Sequence, residues 1–242
     1  MSQQWYVMGA SGLSFEGNEF EIDKGGFVEL INSFMGTDIQ IYGDKITNTP
    51  VAKRALIQRV TKDTVELSDV RSIQCAIGTL DCGQYIKFGN KWWIVASMLS
   101  NNRVYEKATL WYCQYPLKFI SPGTSTTVEY PIPTESASSG SGEKSVQYLT
   151  LGATQRSFYL PYNAVTDKIN NGYRFLIDRR DTNVNAYKVT NVDTTSYMLG
   201  TIGMIRFVCE EDALRSADNL STKVADNTNL SAPNNDEERG WA

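Results

Sequence analysis

Few side chains in this sequence have the type and spacing that catalysis requires, and histidine is absent from all 242 residues. Without histidine the chain cannot form a Ser-His-Asp triad, a Cys-His dyad or an HExxH zinc site. The four cysteines are Cys75, Cys82, Cys113 and Cys209, and no two of them form a CxxC pair. This spacing predicts neither a zinc ribbon nor a thioredoxin-type motif, so we expect reduced, buried thiols.

Carboxylates are the remaining candidates for chemistry, because a glycosidase needs two acids and no histidine. The acids considered for that role are Glu66, Asp69, Asp81, Glu106, Asp178 and Asp193. Their spacing singles out no pair, and most flank predicted turns, where Asp is favoured for backbone reasons. The sequence also contains no GxxxxGK[ST] phosphate loop and no GxSxG nucleophile turn. We therefore predict a protein that is not an enzyme and has no catalytic residue, cofactor or metal; a histidine-free hydrolase is an alternative.

The charge and hydropathy of the chain disfavour two classes of binding partner, namely nucleic acids and membranes. The net charge is −4, which disfavours a domain that mainly binds the phosphate backbone of nucleic acids. The densest basic group, Lys53, Arg54, Arg59 and Lys62, is typical of a solvated face. No apolar stretch approaches about 18 residues, the length of a transmembrane helix, and the first residues lack the basic start of a signal peptide. We expect a chain that is made in a reducing cytoplasm and does not contact a membrane.

Hydrophobic spacing indicates the elements that must position these residues. Within residues 24–35, four apolar residues follow the i, i+3, i+4, i+7 spacing of a helix: Phe27, Leu30, Ile31 and Phe34. This spacing predicts one short helix, and the glycine that follows suits its C-terminus.

The rest of the pattern is typical of β structure. Short apolar runs recur through residues 37–120 at about the 8–12-residue spacing of a small barrel or sandwich. Gly89 and Asn90 separate two of these runs and predict a tight hairpin with positive φ at its first central residue. Residues 146–212 contain further strand patterns and predict a second, smaller β domain.

Composition separates these regions into a predicted, mainly β organisation. It comprises an extended N-terminal arm with the short helix (1–36), a first β domain (37–120), a Ser/Gly/Pro-rich linker (121–145), a second β domain (146–212) and a flexible polar tail (213–242).

Aromatic residues near the two ends of the chain are candidates for binding a partner. They are Trp5, Tyr6, Phe15, Phe20, Phe27 and Trp241. An aromatic, glycine-rich arm of this kind rarely packs on itself. It either lies on its own domain or crosses to a neighbouring subunit, where its aromatic residues would serve as anchors.

The most distinctive stretch of the chain resembles a known family. The segments GQYIKFGNKWWIV (83–95), RVYEKA (103–108) and CQYPLKF (113–119) follow one another in the order seen in tailed-bacteriophage virion proteins encoded among the head and neck genes. Gln114 and Phe119 depart from the family pattern, in which Asn and Trp are usual. The second half resembles longer members of the family through RFLID (174–178), YKVT (187–190) and GMI (203–205).

This resemblance implies a structural protein of the virion at the head–tail junction, in the neck, connector or head closure. The protein would assemble with itself as a multi-copy ring and bind the portal, the adaptor or other neck and tail proteins. Its contact with DNA would be passive, as the duplex passes through the lumen of the ring. The chain would be made in the cytoplasm of the bacterial host and would act in the virion.

A binding module is the alternative, either for carbohydrate or of the tail-tip or baseplate type. Its stacking platform would come from Trp92, Trp93, Trp111, Tyr112 and Tyr115. Adjacent residues of a strand point to opposite faces, so we expect one of Trp92 and Trp93 to fill the core and the other to face outward.

Overall fold

The computed structural model describes residues 15–59, 70–97, 100–136, 155–178 and 184–228. Within these residues the α-helix is α1 (Phe15–Asn32), and a 3-10 turn spans Thr166–Lys168. The strands are β1 (Thr37–Gly43), β2 (Val51–Arg59), β3 (Val70–Cys75), β4 (Tyr85–Phe88), β5 (Lys91–Val95), β6 (Ser100–Asn101), β7 (Glu106–Tyr112), β8 (Tyr115–Ile120), β9 (Thr127–Ile132), β10 (Thr134–Ser136), β11 (Arg156–Pro161), β12 (Arg174–Asp178), β13 (Val184–Asp193), β14 (Met198–Leu199) and β15 (Ile202–Asp212). The predicted mainly β fold is therefore confirmed.

The first β unit is a closed barrel. Strands β3, β2, β1, β4, β5 and β7 pair antiparallel in that order, and β3 pairs with β7 to close six strands into a ring. Alternate side chains point inward along each strand. The interior is filled by Ile39, Ile73, Ile86, Trp93 and Leu110, each at most 1% exposed. The strand spacing predicted a small barrel or a sandwich, and the structure is a barrel.

The hairpin between β4 and β5 shows why these residues close the barrel. Phe88 pairs with Lys91 across a two-residue turn. The central residues Gly89 and Asn90 have φ of 54° and 58°. Two positive φ values match the twist of the flanking strands, and Gly and Asn are among the residues that adopt them most readily.

The second β unit is an open sheet that curls into a half-barrel. Its strands lie in the order β10, β11, β15, β13, β12, β8 and β9, and β14 forms a short hairpin with β15. Its core is aromatic: Phe119, Phe158, Phe175 and Phe207 are fully buried. Their rings meet mainly edge to face, with the centroids of Phe158 and Phe175 6.1 Å apart, a favoured geometry for aromatic pairs.

One hydrophobic core joins the two β units. Tyr85 and Ile94 lie on the outer face of the barrel and pack in the same cluster as Phe158 and Phe207. The buried Tyr85 hydroxyl donates a hydrogen bond to the carbonyl of Pro131 at 2.8 Å. The outer face of the barrel is therefore part of the interior of the molecule on this side.

The backbones of the two units also approach closely at a pair of glycines. A Cβ atom on Gly83 would lie only 2.1 Å from the carbonyl oxygen of Gly203. Gly83 adopts a φ of +85°, which also favours glycine. The close approach of the barrel to the second sheet therefore requires glycine at this position.

The boundary between the units lies earlier in the chain than predicted. Strand β8 lies within the predicted first domain, 37–120, but it pairs with β9 and β12 of the second sheet. Strands β9 and β10 lie inside the predicted linker, 121–145, because Tyr130 and Ile132 are buried in the shared core. Burial of these side chains outweighs the polar composition around them. The second unit is consequently not the smaller one, and residues 137–145 lie outside the described residues.

The helix and the polar tail also differ in extent from the prediction. Helix α1 begins at Phe15, within the segment predicted as an extended arm, and residues 1–14 lie outside the described residues. Residues 213–228, predicted as the start of a flexible tail, pack on the second sheet. Ala225 is 1% exposed and lies in a cluster with Leu176 and Ala186.

A buried arginine holds this C-terminal segment. Arg174, 1% exposed, donates to the Asp212 carboxylate at 2.6 Å, to both carboxylate oxygens of Asp218 at 2.8 and 3.0 Å, and to the carbonyl of Ala213 at 2.7 Å. Asp218 in turn accepts from the backbone N–H of Asp226 at 2.9 Å. These contacts are far apart in the sequence, so composition alone could not show that the segment is ordered.

Candidate assembly surface

Large apolar side chains are exposed where helix α1 ends. Phe34 is 97% exposed, Met35 55% and Leu30 38%. We call these three residues the helix-end surface. Single exposed apolar residues are ordinary on protein surfaces, but an almost fully exposed phenylalanine beside two further apolar residues is typical of a binding surface.

Two side chains fix the helix on the barrel. Phe27 and Ile31, one turn apart, are buried against Leu56 of β2. The ring of Phe27 stacks on Tyr105 with centroids 5.1 Å apart. Of the four residues in the predicted apolar stripe, these two are covered, and Leu30 and Phe34 are exposed. The helix ends at Asn32, so the helical spacing does not carry Phe34 to the buried side.

Arg54 of β2 fixes the end of the helix. Its guanidinium donates to the carbonyls of Asn32 at 2.9 Å, Ser33 at 2.9 Å and Gly36 at 2.7 Å. The last carbonyls of a helix have no partner inside it, and a cation there also interacts favourably with the helix dipole. Asp38, 3.3 Å from Arg54 Nε, orients the guanidinium. The turn that presents the helix-end surface is therefore tied to the barrel.

A groove lies next to this cap, beside the β4–β5 turn of the barrel. It has a volume of about 660 Å³ and is lined by polar and charged residues, among them Gln40, Lys53, Arg54 and Lys87, and by the partly exposed Phe88. Lys87 Nζ lies 5.1 Å from the ring centroid of Trp92, so an aromatic ring holds this cation in place. We call this depression the barrel groove.

A second cleft, of about 870 Å³, lies at one end of the half-barrel. It is lined mainly by uncharged polar residues, among them Ser121, Thr124, Asn170, Asn171 and Asn191. The one aromatic residue in its lining, Tyr173, is 4% exposed and donates its hydroxyl proton to the carbonyl of Ile120. Burial raises the pKa of Tyr173 to about 12. The ring is therefore a structural support and not a stacking surface for a ligand.

Buried titratable groups of the barrel have structural roles. The Glu106 carboxylate, 3% exposed, accepts hydrogen bonds from the backbone N–H groups of Gly78, Thr79 and Leu80 at 2.9, 2.7 and 2.6 Å. Burial, together with the nearby Glu106 charge, raises the pKa of Cys75 to about 12. Cys75 is therefore a protonated thiol at neutral pH and a poor nucleophile.

The other acids considered for chemistry lie apart. Asp81 accepts from the Gln84 amide at 2.9 Å. Asp193 accepts from the backbone N–H groups of Thr195 and Ser196. Although its partial burial acts to raise the pKa of Asp193, these hydrogen bonds lower it to about 2. Glu66 and Asp69 lie outside the described residues, as does the side chain of Asp178. Among the residues that the structure describes, no three metal-ligating side chains cluster.

The aromatic residues predicted to bind a partner can be located in part. Phe27 is 7% exposed and packs within its own chain. Phe15 and Phe20 belong to helix α1, but their side chains lie outside the described part of the structure. Trp5, Tyr6 and Trp241 also fall outside it. These five stay predictions, whereas Phe27 is already engaged in attaching the helix to the barrel.

Sequence reasoning missed Phe34, Met35 and Arg54 as surface determinants. The glycine at position 36 was the available signal, because it indicated that the helix ends near the last member of the apolar stripe. Arg54 was grouped with other basic residues of a solvated face. Only the fold shows that it caps a helix located more than twenty residues earlier in the chain.

The aromatic platform predicted for a carbohydrate module is packed inside the molecule. Trp93 is 1% exposed and stacks on Phe88 inside the barrel. Trp92 points out of the barrel, as the alternation predicts, but packs against Tyr42 at 4.7 Å. Trp111 meets Tyr159 edge to face at 4.8 Å. The two rings that leave the barrel therefore contribute to the core shared with the second sheet.

No helix in the described part of the chain is long and apolar enough to cross a membrane.

Comparison with known protein families gives two adjacent matches. Residues 16–112 match the model of the YomX N-terminal domain, and residues 115–210 match the model of the YomX C-terminal domain. The point between the two matches coincides with the boundary between β7 of the barrel and β8 of the second sheet. No curated protein and no solved structure matches the chain.

Proposed function

The chain belongs to the YomX family, a phage-derived protein family whose two domains together cover about four fifths of its length, and on this basis we propose that it is a non-enzymatic structural protein of the phage virion. We place it at the head–tail junction, in the neck, connector or head closure, as a multi-copy ring. The proposal concerns assembly, so the residues that matter are those of its contact surfaces.

The observation that carries the proposal is the helix-end surface. Phe34 and Met35 are exposed, yet the turn that holds them is fixed by three hydrogen bonds from Arg54. A surface that is apolar and already ordered loses little conformational entropy on binding, which favours a lasting contact. Two β units joined by one core provide the rigid body that a subunit of a ring needs.

The resemblance of residues 83–119 to head and neck proteins supports the choice of the head–tail junction. The partners we propose are further copies of this chain, the portal, the adaptor and other neck and tail proteins. Contact with DNA would be passive, since the net charge of −4 does not favour holding a duplex. The chain would be made in the host cytoplasm and retained in the virion.

A carbohydrate-binding or tail-tip module is the second candidate. The cleft at the end of the half-barrel favours it, since amide and hydroxyl groups such as those of Asn170, Asn191 and Thr124 can bind the hydroxyl groups of a sugar. The cleft has no exposed aromatic ring for stacking among its described residues. Titration with a broad glycan panel, followed by amide shifts of the cleft residues, separates this function from assembly.

Purified virions test the main proposal. Mass spectrometry of gradient-purified particles should detect several copies of the chain per portal ring, and a particle reconstruction should place them between head and tail. Deletion of the gene should leave filled heads and free tails that do not join, and expression in trans should restore joining. Absence from the particles, or normal joining after deletion, would contradict the proposal.

A further inference from the structure

We propose that the helix-end surface of one copy binds in the barrel groove of a second copy of this chain. The inference rests on the self-assembly proposed above and names the contact that produces it. Three properties of the two surfaces support the pairing: order, room and charge.

The helix-end surface is ordered without being covered. Helix α1 touches the barrel through Phe27 and Ile31, and Arg54 holds its last carbonyls. The following turn is closed by hydrogen bonds from the Ser33 N–H to the Leu30 carbonyl and from the Gly36 N–H to the Ser33 carbonyl, both at 3.2 Å. Phe34 therefore points into solvent from a fixed backbone, as a hot-spot residue of an interface does.

The barrel groove offers room for such a side chain. Its volume of about 660 Å³ lies inside the range of about 300–1,000 Å³ that is usual for binding pockets. Phe88, Ala52 and Gly89 give it apolar lining. Phe34 of the same chain is 97% exposed, so it does not occupy this groove. An apolar side chain that enters the groove must come from elsewhere, and a second copy supplies one.

Charge also favours the pairing. In the part of helix α1 whose side chains are described, the acids Asp23 and Glu29 are exposed, and Glu29 directly precedes Leu30 of the helix-end surface. The lining of the groove contains three basic residues and one acid, and that acid already pairs with Arg54. Lys53 and Lys87 remain in the lining to face Glu29. Such complementarity orients two copies so that a helix meets a groove and disfavours helix against helix.

Two sets of variants test the contact by light scattering and sedimentation. Phe34→Ala should weaken self-association by roughly 30-fold or more, the effect of removing an interface hot spot without adding a charge. The double variant Lys53→Glu/Lys87→Glu should weaken it as well, and more strongly at low salt. The matched controls are Leu199→Ala, which truncates an exposed leucine of the second unit, and Lys107→Glu/Lys188→Glu. They should assemble like the natural protein, and circular dichroism checks that every variant is folded.

Mixing the two assembly-deficient variants gives the sharpest result. The Phe34→Ala copy keeps an intact groove, and the Lys53→Glu/Lys87→Glu copy keeps an intact helix-end surface. An equimolar mixture should therefore recover a 1:1 complex that neither variant forms alone. Failure of the mixture to associate would overturn the inference. So would oligomers that both variants leave unchanged, or a change in stability with no change in oligomeric state, as expected if the same chain covers Phe34.

The result also separates this inference from the proposed function. If the natural protein forms rings that both variants leave intact, the ring stands and the helix-to-groove contact is wrong. If the contact is confirmed but the natural protein stops at a dimer, the contact stands and the ring is wrong. Head-to-tail repetition of one helix-to-groove contact would close a ring, whereas a reciprocal exchange of helices would close a dimer.

Discussion

Single buried polar side chains hold the loops and ends of this protein in place. Glu106 gathers three backbone N–H groups of one turn, and Arg174 gathers two carboxylates and a carbonyl. A buried charge is stable only when it is paired and hydrogen-bonded. Each of these residues therefore fixes a segment that has little apolar surface of its own.

Removal of Arg174 should release the C-terminal segment. Arg174→Met leaves the fully buried Asp218 carboxylate without its partner, and loss of one member of such a pair typically costs about 3–5 kcal/mol. We expect a clear fall in the free energy of unfolding and faster hydrogen exchange over residues 213–228. Arg156→Met, at a partly exposed arginine of the same sheet, is the comparison. Equal stability of the two variants would contradict the assigned role.

The Asp218 carboxylate should make the free energy of unfolding depend on pH in the acid range. Burial alone would raise the pKa of Asp218, but hydrogen bonds from Arg174 and from the backbone of Arg215 and Asp226 lower it to about 2. Asp212, also bonded to Arg174, has a lowered pKa too. A carboxylate with a lowered folded-state pKa stabilises the protein above its unfolded pKa near 4, and this contribution is lost as the pH falls towards 2.

Urea unfolding at a series of pH values measures this dependence. For Asp218 we expect a loss of about 2 kcal/mol between pH 5 and pH 2. Asp218→Asn cannot titrate, so its stability should be lower at pH 5 and should fall less steeply with acid. Asp193 also has a lowered pKa, but it is present in both proteins, so the difference between them isolates Asp218. Parallel pH profiles would disprove the assignment.

At the scale of elements, helix α1 depends on a strand that follows it in the chain. The helix sequence contains Gly25 and Gly26, which lower its intrinsic stability by about 1 kcal/mol each relative to alanine. Phe27 and Ile31 supply apolar burial, and Arg54 supplies the C-terminal cap. The position of the helix is therefore decided by β2.

Arg54→Gln should loosen the helix without unfolding the barrel. Hydrogen bonds to a charged group contribute about 1.5–3 kcal/mol each in favourable cases, so the loss should appear as faster exchange of the helix amides and a modest fall in Tm. Arg59→Gln, at an exposed position of the same strand, is the control and should change neither. Self-association should weaken in Arg54→Gln, because Phe34 is no longer presented from a fixed turn.

For the whole molecule, the contact between the barrel and the half-barrel determines the shape of the subunit. The two family domains meet at residues 112–115, but the core continues across this boundary through Tyr85, Ile94 and Phe158. We therefore expect the two units to unfold together in one cooperative transition, because separating them would expose that core.

A pair of glycine variants tests this contact. Gly83→Ala would place a methyl group 2.1 Å from the Gly203 carbonyl oxygen, whereas Gly123→Ala, at a similar φ of +77°, meets open space. Both variants carry the backbone strain of positive φ, so the difference between their unfolding free energies measures the steric contact at Gly83. We expect Gly83→Ala to be less stable than Gly123→Ala by about 2 kcal/mol. Equal unfolding free energies would show that the units can move apart at this point without loss of stability.

The sequence by itself determined the class of structure. Strand periodicity and turn chemistry are local, so the mainly β class, the hairpin at Gly89 and Asn90 and a helix before the first strand followed from neighbouring residues. The choice between a barrel and a sandwich did not, because β3 closes the barrel by pairing with the distant β7. A likeness to phage proteins was also recognisable from short segments in order, and the family match supports the phage origin without the place at the head–tail junction.

Only the tertiary structure decided which residues are exposed and which hold distant segments together. Phe27 and Phe34 belong to one apolar stripe in the sequence, yet the first is buried against Leu56 and Tyr105 and the second is exposed, because the helix ends at Asn32. Arg54 and Arg174 were indistinguishable from solvated cations until their partners, which lie 16 to 52 residues away, were brought beside them. Burial and ion pairing depend on contacts between distant segments, and local composition does not reveal those contacts.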